Sequence, residues 1–360
     1  MRGIAWLVLA GCAAPDATVA QAITSGSGDP GDPAVVALVD DTGHVDCTAA
    51  VIEAHTAVTA AHCVAGLDPR TLRVWYGGDA YSQVTGANAH PMFDPTTFAN
   101  DIAALSFRDP AQAPPLALDT AAPAVATTIR VVGWGRTSAA VDDSGDKRAG
   151  SATISAVTAA DFTALPAPSQ PCRGDSGGPA LTPAGTIGGV VSHGDTACTD
   201  HAVYSRVDVA LDFVNGYLAA TAPGTATTGA ACYDGQCADG PCVVADDDPR
   251  IAYCSKTCAH AGDCPAAMDC AGGECRYPPP SPTALGAACT ADSQCITGIC
   301  RQGTCTQMCT GTCPTGFACK NNDCTAVSDA GCGGCASGGA PGAIIALLVL
   351  ARARRTGRRV

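Results

Sequence analysis

The sequence predicts an all-β protein followed by small disulfide-rich modules. Between residues 34 and 200, short runs rich in Val, Ile, Thr and Ala are interrupted by Gly, Pro and Asp, a pattern typical of many short strands. Of the 23 cysteines, five lie in residues 1–228 and sixteen in residues 229–324. Cysteine at this density indicates an oxidising compartment and a region stapled by disulfides. A chain of 360 residues is long enough for two or three domains.

Eight runs carry the strand pattern, and one helix is predicted after them. Residues 209–221, VALDFVNGYLAAT, show the helical period of apolar positions. In chain order the strand-like runs are AVVALV, TAAVIEA, AVTAAH, LRVWYG, IAALSF, TIRVVGWG, GSATISAV and TIGGVVSHG.

The charge of the chain is strongly acidic. Twenty Lys and Arg side chains stand against 33 Asp and Glu, which gives a formal net charge of −13. Nucleic-acid binding requires a basic face, so this balance argues against a nucleic-acid partner.

The first residues, MRGIAWLVLAGC, predict a secretory signal peptide. One positive charge at Arg2 precedes an apolar run that is too short to cross a membrane. Two processing sites follow. LAGC resembles the lipobox of bacterial lipoproteins, in which Cys12 would be lipidated, and residues 20–22 form an A-x-A signal-peptidase site. A third interpretation leaves Cys12 as an incidental cysteine of a cleaved leader.

The last residues read GCGGCASGGAPGAIIALLVLARARRTGRRV. An apolar stretch at residues 340–351 precedes five arginines, and a basic cluster after an apolar segment stays cytoplasmic. This order resembles the surface-sorting tails of myxobacteria, which a membrane protease removes. The alternative is a simple membrane anchor. Both interpretations place the bulk of the chain outside the cytoplasm, at the surface of a bacterium.

The stretch GDSGG, residues 174–178, fits either a hydrolase nucleophile turn or a plain glycine-rich loop. A serine nucleophile needs a general base, and His62 in AVTAAHCV and Asp101 in NDIAALSF precede Ser176 in the chain. An α/β-hydrolase elbow requires the opposite order, with the histidine after the serine, so that fold is excluded.

TAAHC, NDIAAL, GWG and GDSGGP, in this order, resemble the trypsin/chymotrypsin family of serine proteases. The resemblance covers residues 23–222. It implies a chymotrypsin-like fold of two six-stranded antiparallel β-barrels, with the active site in the cleft and the C-terminal helix packed on the second barrel.

The resemblance also assigns roles to residues. Ser176 would attack the scissile carbonyl, His62 would carry the proton and Asp101 would orient His62, while the backbone N–H groups of Gly174 and Ser176 form the oxyanion hole. Taken singly, His62 could be a buried structural histidine and Asp101 a turn cap.

Two disulfides and an activation step follow from the same resemblance. Cys47 would pair with Cys63, and Cys172 with Cys198. In the family, the aspartate before the nucleophile pairs with a new N-terminal ammonium. Here Asp175 would pair with Ile23, which directly follows the A-x-A site. Cleavage at that site would make secretion itself the activating step, whereas lipidation at Cys12 would require a second cut.

The substrate pocket is expected to be neutral. Gln170 stands where trypsin-like members carry the aspartate that holds Arg or Lys. Ser192, His193 and Gly194 resemble the family's Ser-Trp-Gly substrate strand, with histidine replacing the tryptophan. Ala202 stands where glycine is common and would narrow the pocket floor. We therefore expect a small or medium uncharged residue at the cleavage site.

Two cysteine-rich repeats follow a small-residue linker, TAPGTATTGA. Each repeat has eight cysteines, and a stiff proline-rich spacer separates the two. The even count predicts four disulfides per repeat with unassigned connectivity, and zinc sites are the rival interpretation. A stalk is the preferred role, with substrate binding or protection from proteolysis as alternatives.

The sequence thus predicts a secreted, surface-anchored serine endopeptidase that acts on protein or peptide substrates and needs no cofactor or metal. A catalytically silent surface binding protein and a dedicated maturation protease are the alternatives. The membrane contacts would be the N-terminal lipid, the C-terminal segment or both, and a sorting protease would act on the tail. The predicted segments are 1–22 (signal peptide or short propeptide), 23–222 (protease domain), 223–231 (linker), 232–275 (first repeat), 276–288 (spacer), 289–324 (second repeat) and 325–360 (Cys-Gly motif, apolar segment and Arg-rich tail).

Overall fold

The computed structural model describes most of the chain from Ile23 onward. The chain divides into two compact units, Met1–Pro282 and Thr283–Val360. The predicted signal peptide with Cys12 and the C-terminal apolar segment with its arginines lie outside the described residues. Those residues are 23–246, 248–278, 285–289, 295, 297, 299–301, 303–309, 313–314, 317–320 and 323–326.

Six antiparallel strands close the first barrel. A two-residue strand precedes them in the chain and belongs to the second barrel. The strands are β1 (Ser27–Gly28), β2 (Val35–Val39), β3 (Val45–Glu53), β4 (Thr56–Thr59), β5 (Arg73–Gly77), β6 (Ala80–Ala89) and β7 (Ala103–Phe107). The barrel order is β2-β3-β4-β7-β6-β5, and β5 pairs back onto β2. Every residue of β2, β4 and β7 is buried. Because side chains alternate between the inside and the outside of a barrel, these strands are covered on the outside as well as packed within.

The second barrel repeats this arrangement. Its strands are β8 (Thr128–Gly133), β9 (Arg148–Val157), β10 (Asp161–Pro166), β11 (Pro179–Leu181), β12 (Ile187–Gly194) and β13 (Ala202–Arg206). They pair in the order β8-β9-β10-β13-β12-β11, with β11 returning to β8 and β1 added outside β9. Both barrels therefore place their strands in the order first, second, third, sixth, fifth, fourth, and the predicted double-barrel fold is confirmed.

The helix α1 (Leu211–Ala220) packs on the first barrel, so the prediction that it packs on the second was wrong. Its buried residues are Val214 and Tyr217. The Tyr217 hydroxyl lies 2.9 Å from Ser106 Oγ of β7 and donates to the Gly86 carbonyl of β6 at 3.3 Å. Although α1 follows the last strand of the second barrel, its apolar face is covered by strands from the first half of the chain.

The first cysteine-rich repeat contains two small hairpins, and each hairpin carries cysteines of two disulfides. Strand β14 (Cys242–Val244) pairs with β15 (Ala252–Cys254), and β16 (Asp269–Ala271) pairs with β17 (Glu274–Arg276). The disulfides join the first cysteine to the third, the second to the fourth, the fifth to the seventh and the sixth to the eighth. They are Cys232–Cys242, Cys237–Cys254, Cys258–Cys270 and Cys264–Cys275.

This repeat packs against the first barrel, and the role of the two repeats as a stalk stays a prediction. Arg108 Nη1 donates to the Pro249 carbonyl at 2.7 Å, and Arg250 Nη1 lies 3.3 Å from Asp41 Oδ2. The linker also folds back onto the repeat, since the Ala226 N–H donates to the carbonyl of Gln236 at 2.9 Å. Residues 23–278 therefore form one packed body.

The second repeat has the same disulfide order as the first. Strand β18 (Cys300–Arg301) pairs with β19 (Thr304–Cys305), and β20 (Phe317–Lys320) pairs with β21 (Asp323–Ala326). Because the cysteines of both repeats are oxidised to disulfides, they are not thiolate ligands, and the zinc interpretation of the repeats was wrong. The disulfides of this repeat are Cys289–Cys300, Cys295–Cys305, Cys309–Cys319 and Cys313–Cys324.

A search for membrane-spanning helices found no candidate among the described residues: none of their helices is long and apolar enough.

Candidate active site

His62 and Asp101 meet at the end of the first barrel. His62 lies in a 3-10 turn, Ala61–Cys63, just after β4, and Asp101 lies two residues before β7. His62 Nδ1 is 2.7 Å from Asp101 Oδ2, and the His62 backbone N–H donates to Asp101 Oδ1 at 2.8 Å. A carboxylate accepts hydrogen bonds, so Nδ1 carries the hydrogen and Nε2 is left with its lone pair. The disulfide Cys47–Cys63 ties the turn to β3.

Asp101 is fully buried and remains anionic. Burial alone would raise the pKa of its carboxyl group. The hydrogen bonds from the ring and backbone of His62, the attraction of its protonated form and the hydrogen bond from Ser192 outweigh burial and hold that pKa below its usual range. Ser192 Oγ donates to Asp101 Oδ2 at 2.6 Å. The sequence placed Ser192 in the substrate pocket and missed this bond to the carboxylate.

Ser176 lies in the loop between β10 and β11 and lines the same cleft as His62. The Thr48 N–H donates to the Ser176 carbonyl, and Thr48 Oγ1 donates to the Gly174 carbonyl, each at 2.8 Å. Gly174 has φ +92°, a value that favours glycine. Within the described part of the chain, the backbone N–H groups of Gly174 and Ser176 donate to no other residue. Both are therefore available to an oxygen in the cleft.

The two glycines after Ser176 are required by close packing, Gly177 against the first barrel and Gly178 against β8 of the second barrel. A Cβ at Gly177 would lie 2.0 Å from Thr59 Oγ1 and 2.2 Å from the Thr48 carbonyl oxygen. A Cβ at Gly178 would lie 2.6 Å from the Val132 carbonyl oxygen. Real Cβ atoms do not come so close to other atoms. The GDSGG pattern is therefore explained by packing as well as by the serine.

The glycines of the GWG motif make room for the Asp175 carboxyl group. A Cβ at Gly133 would lie 2.1 Å from Asp175 Oδ1, and one at Gly135 would lie 2.5 Å from the Asp175 backbone nitrogen. The N–H groups of Gly135 and Cys172 donate to the two carboxyl oxygens at 2.8 and 2.9 Å. Complete burial raises the pKa of Asp175 to about 7. No ion pair joins this carboxyl to any basic group in the described ranges.

Ile23 is fully buried in the core of the second barrel, with an unusual backbone φ of +46°. The next residue, Thr24, forms a two-way backbone bridge with Gln170. The Thr24 N–H donates to the Gln170 carbonyl at 2.8 Å, and the Gln170 N–H donates back at 3.3 Å. The segment at the predicted new N-terminus is therefore attached to the loop between β10 and β11, which carries the predicted specificity residue Gln170.

The cleft beside Ser176 has a volume of about 270 Å³. Its lining includes four of the five predicted pocket residues, Ser192, His193, Gly194 and Ala202. The fifth, Gln170, is buried behind the lining and donates a hydrogen bond from its amide to Asp195 at 3.3 Å. The disulfide Cys172–Cys198 lies at the same place, since both cysteines line the cleft.

Phe98 and Asp195 are among the residues of the cleft that were not predicted from the sequence. The Phe98 ring stands edge-on to His62 at 5.5 Å between centroids and lies 5.2 Å from the His193 ring. Asp195 lines the cleft next to Gly194. Phe98 lies in a loop without a motif, and an aspartate followed by Thr and Ala is an ordinary turn signal. Neither local sequence differs from that of an ordinary solvent-exposed loop.

Comparisons with known proteins agree with this site and fold. The family model described as Trypsin matches residues 23–214, more than half of the chain. A trypsin of Saccharopolyspora erythraea is 30% identical over 214 residues, covering 51% of this chain and 93% of that protein. Trypsin alpha-4 of Lucilia cuprina is 32% identical over 177 residues, covering 42% and 69%. Trypsin-10 of Gadus morhua is 29% identical over 205 residues, covering 50% and 84%.

The double barrel, the serine-lined cleft and these relatives together define a serine-type endopeptidase. The chain belongs to the trypsin family, whose match begins at Ile23 and ends within α1.

Proposed function

We propose that Ser176, His62 and Asp101 act as a catalytic triad that hydrolyses peptide bonds. The observation that carries the proposal is the 2.7 Å contact between His62 Nδ1 and Asp101 Oδ2, with His62 and Ser176 on one cleft. Ser176 Oγ attacks the scissile carbonyl carbon while His62 Nε2 takes the hydroxyl proton. His62 then gives that proton to the leaving amine, and Asp101 stabilises the imidazolium between the two steps.

The acyl-enzyme is hydrolysed by the same residues. Water attacks the ester carbon, His62 takes the water proton, and its return to Ser176 Oγ releases the acid product. The backbone N–H groups of Gly174 and Ser176 bind the oxyanion formed in each half of the reaction. A donor of this kind lowers the barrier by roughly 3–4 kcal/mol in related enzymes.

Activation is proposed to occur by cleavage before Ile23. The buried Asp175 carboxyl has a raised pKa because it lies away from water, and it accepts two backbone hydrogen bonds. An ammonium group on Ile23, already buried in the second barrel, would supply the missing positive charge. Ion pairing would then hold Asp175 and the adjoining oxyanion hole in place.

The cleavage preference is proposed to be for an uncharged residue. Gln170 has no charge with which to hold Arg or Lys, and Ala202 adds a methyl group to the cleft lining. Asp195 also lines the cleft, but its carboxylate accepts hydrogen bonds from the N–H groups of Thr199 and Asp200. A cationic side chain would have to compete with these donors, so Arg and Lys substrates should be poor.

We propose that the enzyme works outside the cytoplasm. Ten disulfides among the described residues support an oxidising location. The leader-like first residues support secretion. LAGC around Cys12 and the apolar, Arg-rich tail support attachment to a membrane and processing by a sorting protease.

The proposal is tested by labelling the secreted chain with a fluorophosphonate probe, next to its Ser176→Ala variant. We expect labelling of the parent and none of the variant. A folded, disulfide-intact parent that fails to label would leave the protein as a silent binding protein with a protease fold. Labelling without cleavage of generic peptides would indicate an enzyme with one dedicated substrate.

A further inference from the structure

Ser192 and His193 are neighbours in β12, and their side chains are in contact. In a regular strand, consecutive side chains point to opposite faces. Here Val191 pairs with Tyr204 and His193 pairs with the next residue of β13, Val203, so Ser192 is the extra residue of a bulge. Ser192 Oγ lies 3.0 Å from His193 Nδ1. Bulges beside active sites re-aim side chains in this way.

The direction of this hydrogen bond follows from the second bond that Ser192 makes. Ser192 Oγ also lies 2.6 Å from Asp101 Oδ2, and an ionised carboxylate only accepts hydrogen bonds. The single hydroxyl hydrogen therefore goes to Asp101. Ser192 Oγ must then accept from His193, so Nδ1 of the His193 ring carries a hydrogen. His193 is thus held in the tautomer that donates to Ser192.

Asp101 Oδ2 belongs to a chain of hydrogen bonds that joins two imidazole rings. His193 donates to Ser192, and Ser192 donates to Asp101 Oδ2. His62 Nδ1 donates to the same carboxylate oxygen at 2.7 Å. Hydrogen bonds in such a chain polarise one another, so the bond from His193 makes Ser192 a stronger donor. This withdraws negative charge from the oxygen that supports His62, and Asp101 stabilises a protonated His62 less than it would without His193.

A proton on His193 acts in the same direction, because it places a second positive charge on the chain that ends at His62. Desolvation in the cleft lowers the pKa of His193, and the negative charges of Asp101 and Asp161 oppose this effect. Positive charges on His201 and His62 lower that pKa further. The His193 ring is therefore neutral at neutral pH and gains charge as the medium becomes acidic. The other charged side chains on the cleft are Arg173 and Asp195.

We propose that His193 is a positioning residue of the triad. Acting through Ser192, it withdraws negative charge from Asp101, so that His62 remains unprotonated and able to act as the base at a lower pH than the triad alone would allow. His193 neither attacks the substrate nor carries its proton. This inference rests on the proposed function and states what sets the acidic limit of the activity.

The test follows the His62 ring by NMR in the full chain, with isotope-labelled histidine and a Ser176→Ala background that prevents self-digestion. The His62 signal is assigned by its loss in His62→Asn. His193→Phe keeps a ring at this position but removes the donor and the charge. We expect the pH midpoint of the His62 signal to rise by about 0.3–1 pH units in this variant. An unchanged or lower midpoint overturns the proposal.

Ser192→Ala identifies the route of the effect. This variant removes a donor to Asp101, so it should raise the His62 midpoint by itself. Adding His193→Phe should then change the midpoint by no more than about 0.2 pH units, because the connecting hydroxyl is gone. A further rise as large as that of the single His193→Phe variant would show that His193 acts without Ser192 and overturn the proposal.

His193→Asn separates the hydrogen bond from the charge without changing Ser192. Its amide can donate to Ser192 Oγ and does not titrate, so its His62 midpoint should lie between those of the parent and His193→Phe. A midpoint above that of His193→Phe would contradict the role of the donor. This variant also keeps the proposal testable where Ser192→Ala fails to fold.

His201→Phe is the matched control. The ring of His201, just before β13, contacts Asp200 at 3.0 Å and does not bond Ser192 or Asp101 in the described part of the chain. Its loss should leave the His62 midpoint unchanged. A rise equal to that of His193→Phe would show a general charge effect and overturn the proposal.

Fluorophosphonate labelling of the same variants, with Ser176 restored, keeps the two proposals distinguishable. We expect the acidic limb of the labelling rate to move to higher pH in His193→Phe by the same shift. If the parent fails to label, the proposed function fails, while the ring titration still decides the role of His193. If the parent labels and the titration shows no shift, the triad stands and the role of His193 is wrong.

Discussion

His55, in the turn between β3 and β4, stacks on Tyr233 of the first cysteine-rich repeat, with 4.1 Å between the ring centroids and 7° between the ring planes. Tyr233 is 5% exposed, and its hydroxyl donates to the Thr221 carbonyl just after α1. A small module with little core of its own gains stability by burying a large ring against a larger domain. The stack therefore joins the repeat to the catalytic unit.

Tyr233→Ala should lower the free energy of unfolding more than Tyr233→Phe, because it removes the stacked ring as well as the hydroxyl. Loss of a buried ring costs roughly 3–5 kcal/mol, whereas loss of the hydroxyl bond costs about 1 kcal/mol. The measurement is urea unfolding of the disulfide-intact chain in a Ser176→Ala background, which prevents self-digestion. Equal free energies of unfolding for the two variants would mean that the stack contributes nothing.

The sequence revealed eight of the twelve barrel strands, and the four that it missed have a common cause. Their patterns are short or contain many polar residues. Strand β6 mixes polar residues with Gly86, and β11 has three residues beginning with Pro179. Strands β10 and β13 are short and contain polar positions. All four are specified by pairing with neighbouring strands, which a local pattern does not record.

The residues of the candidate site also fall into two groups, those that a local sequence motif identifies and those that it does not. Motif residues were identified from local sequence because backbone geometry demands particular residue types there. Thr48, whose hydroxyl binds the Gly174 carbonyl 126 residues later, carries no local signal. Asp195 is similar, since its hydrogen bond to Gln170 spans 25 residues and depends on the folded pocket. Contacts of this kind exist only after the barrels close.

Gly135→Ala should abolish fluorophosphonate labelling. The added methyl group would meet the Asp175 nitrogen at 2.5 Å and the Arg173 carbonyl oxygen at 2.6 Å, both backbone atoms that cannot rotate away. The loop that carries Ser176 would have to shift, and with it the oxyanion hole. Retained labelling at the parental rate would show that this loop tolerates displacement.

Gly216→Ala is the matched control and should have the opposite effect on stability. Gly216 lies in α1, and a Cβ there would meet no atom within 4 Å. Alanine in a helix interior is about 0.5–1 kcal/mol more favourable than glycine. Urea unfolding should show that increase with unchanged labelling, and a loss of stability would contradict the open space at this position.

Ser192→Ala should destabilise the chain most at neutral pH, and the difference from the parent should shrink as the pH falls below about 4. Asp101 has a depressed pKa when folded, so its contribution to stability is present above about pH 4 and is lost as the pH falls through the folded pKa. Removing the Ser192 hydroxyl raises the pKa of Asp101. It should lower the free energy of unfolding by roughly 1–3 kcal/mol at neutral pH. Ser155→Ala, which removes an exposed hydroxyl bonded to a strand carbonyl, is the control. The free energy of unfolding is compared at about pH 7 and about pH 2. If the cost of Ser192→Ala changes with pH no more than the cost of Ser155→Ala, Asp101 is not the cause.

Asp175 should make the stability of the uncleaved chain fall as pH rises from about 4 to about 7. The folded carboxyl has a pKa of about 7, whereas an unfolded aspartate has one of about 4, so between these values the folded chain binds more protons than the unfolded chain. Ionising the buried group then costs up to roughly 4 kcal/mol of folding free energy.

A chain that begins at Ile23 should lose this dependence, because its new ammonium group pairs with the ionised carboxylate. Asp175→Asn should remove it from the uncleaved chain as well, since an amide does not titrate. The measurement is the free energy of unfolding from pH 4 to pH 8 for the uncleaved chain, the chain starting at Ile23 and the Asp175→Asn variant, all with Ser176→Ala. If the first two curves have the same slope, the Ile23 ammonium does not reach Asp175. The activation step would then require a different partner for the buried carboxylate.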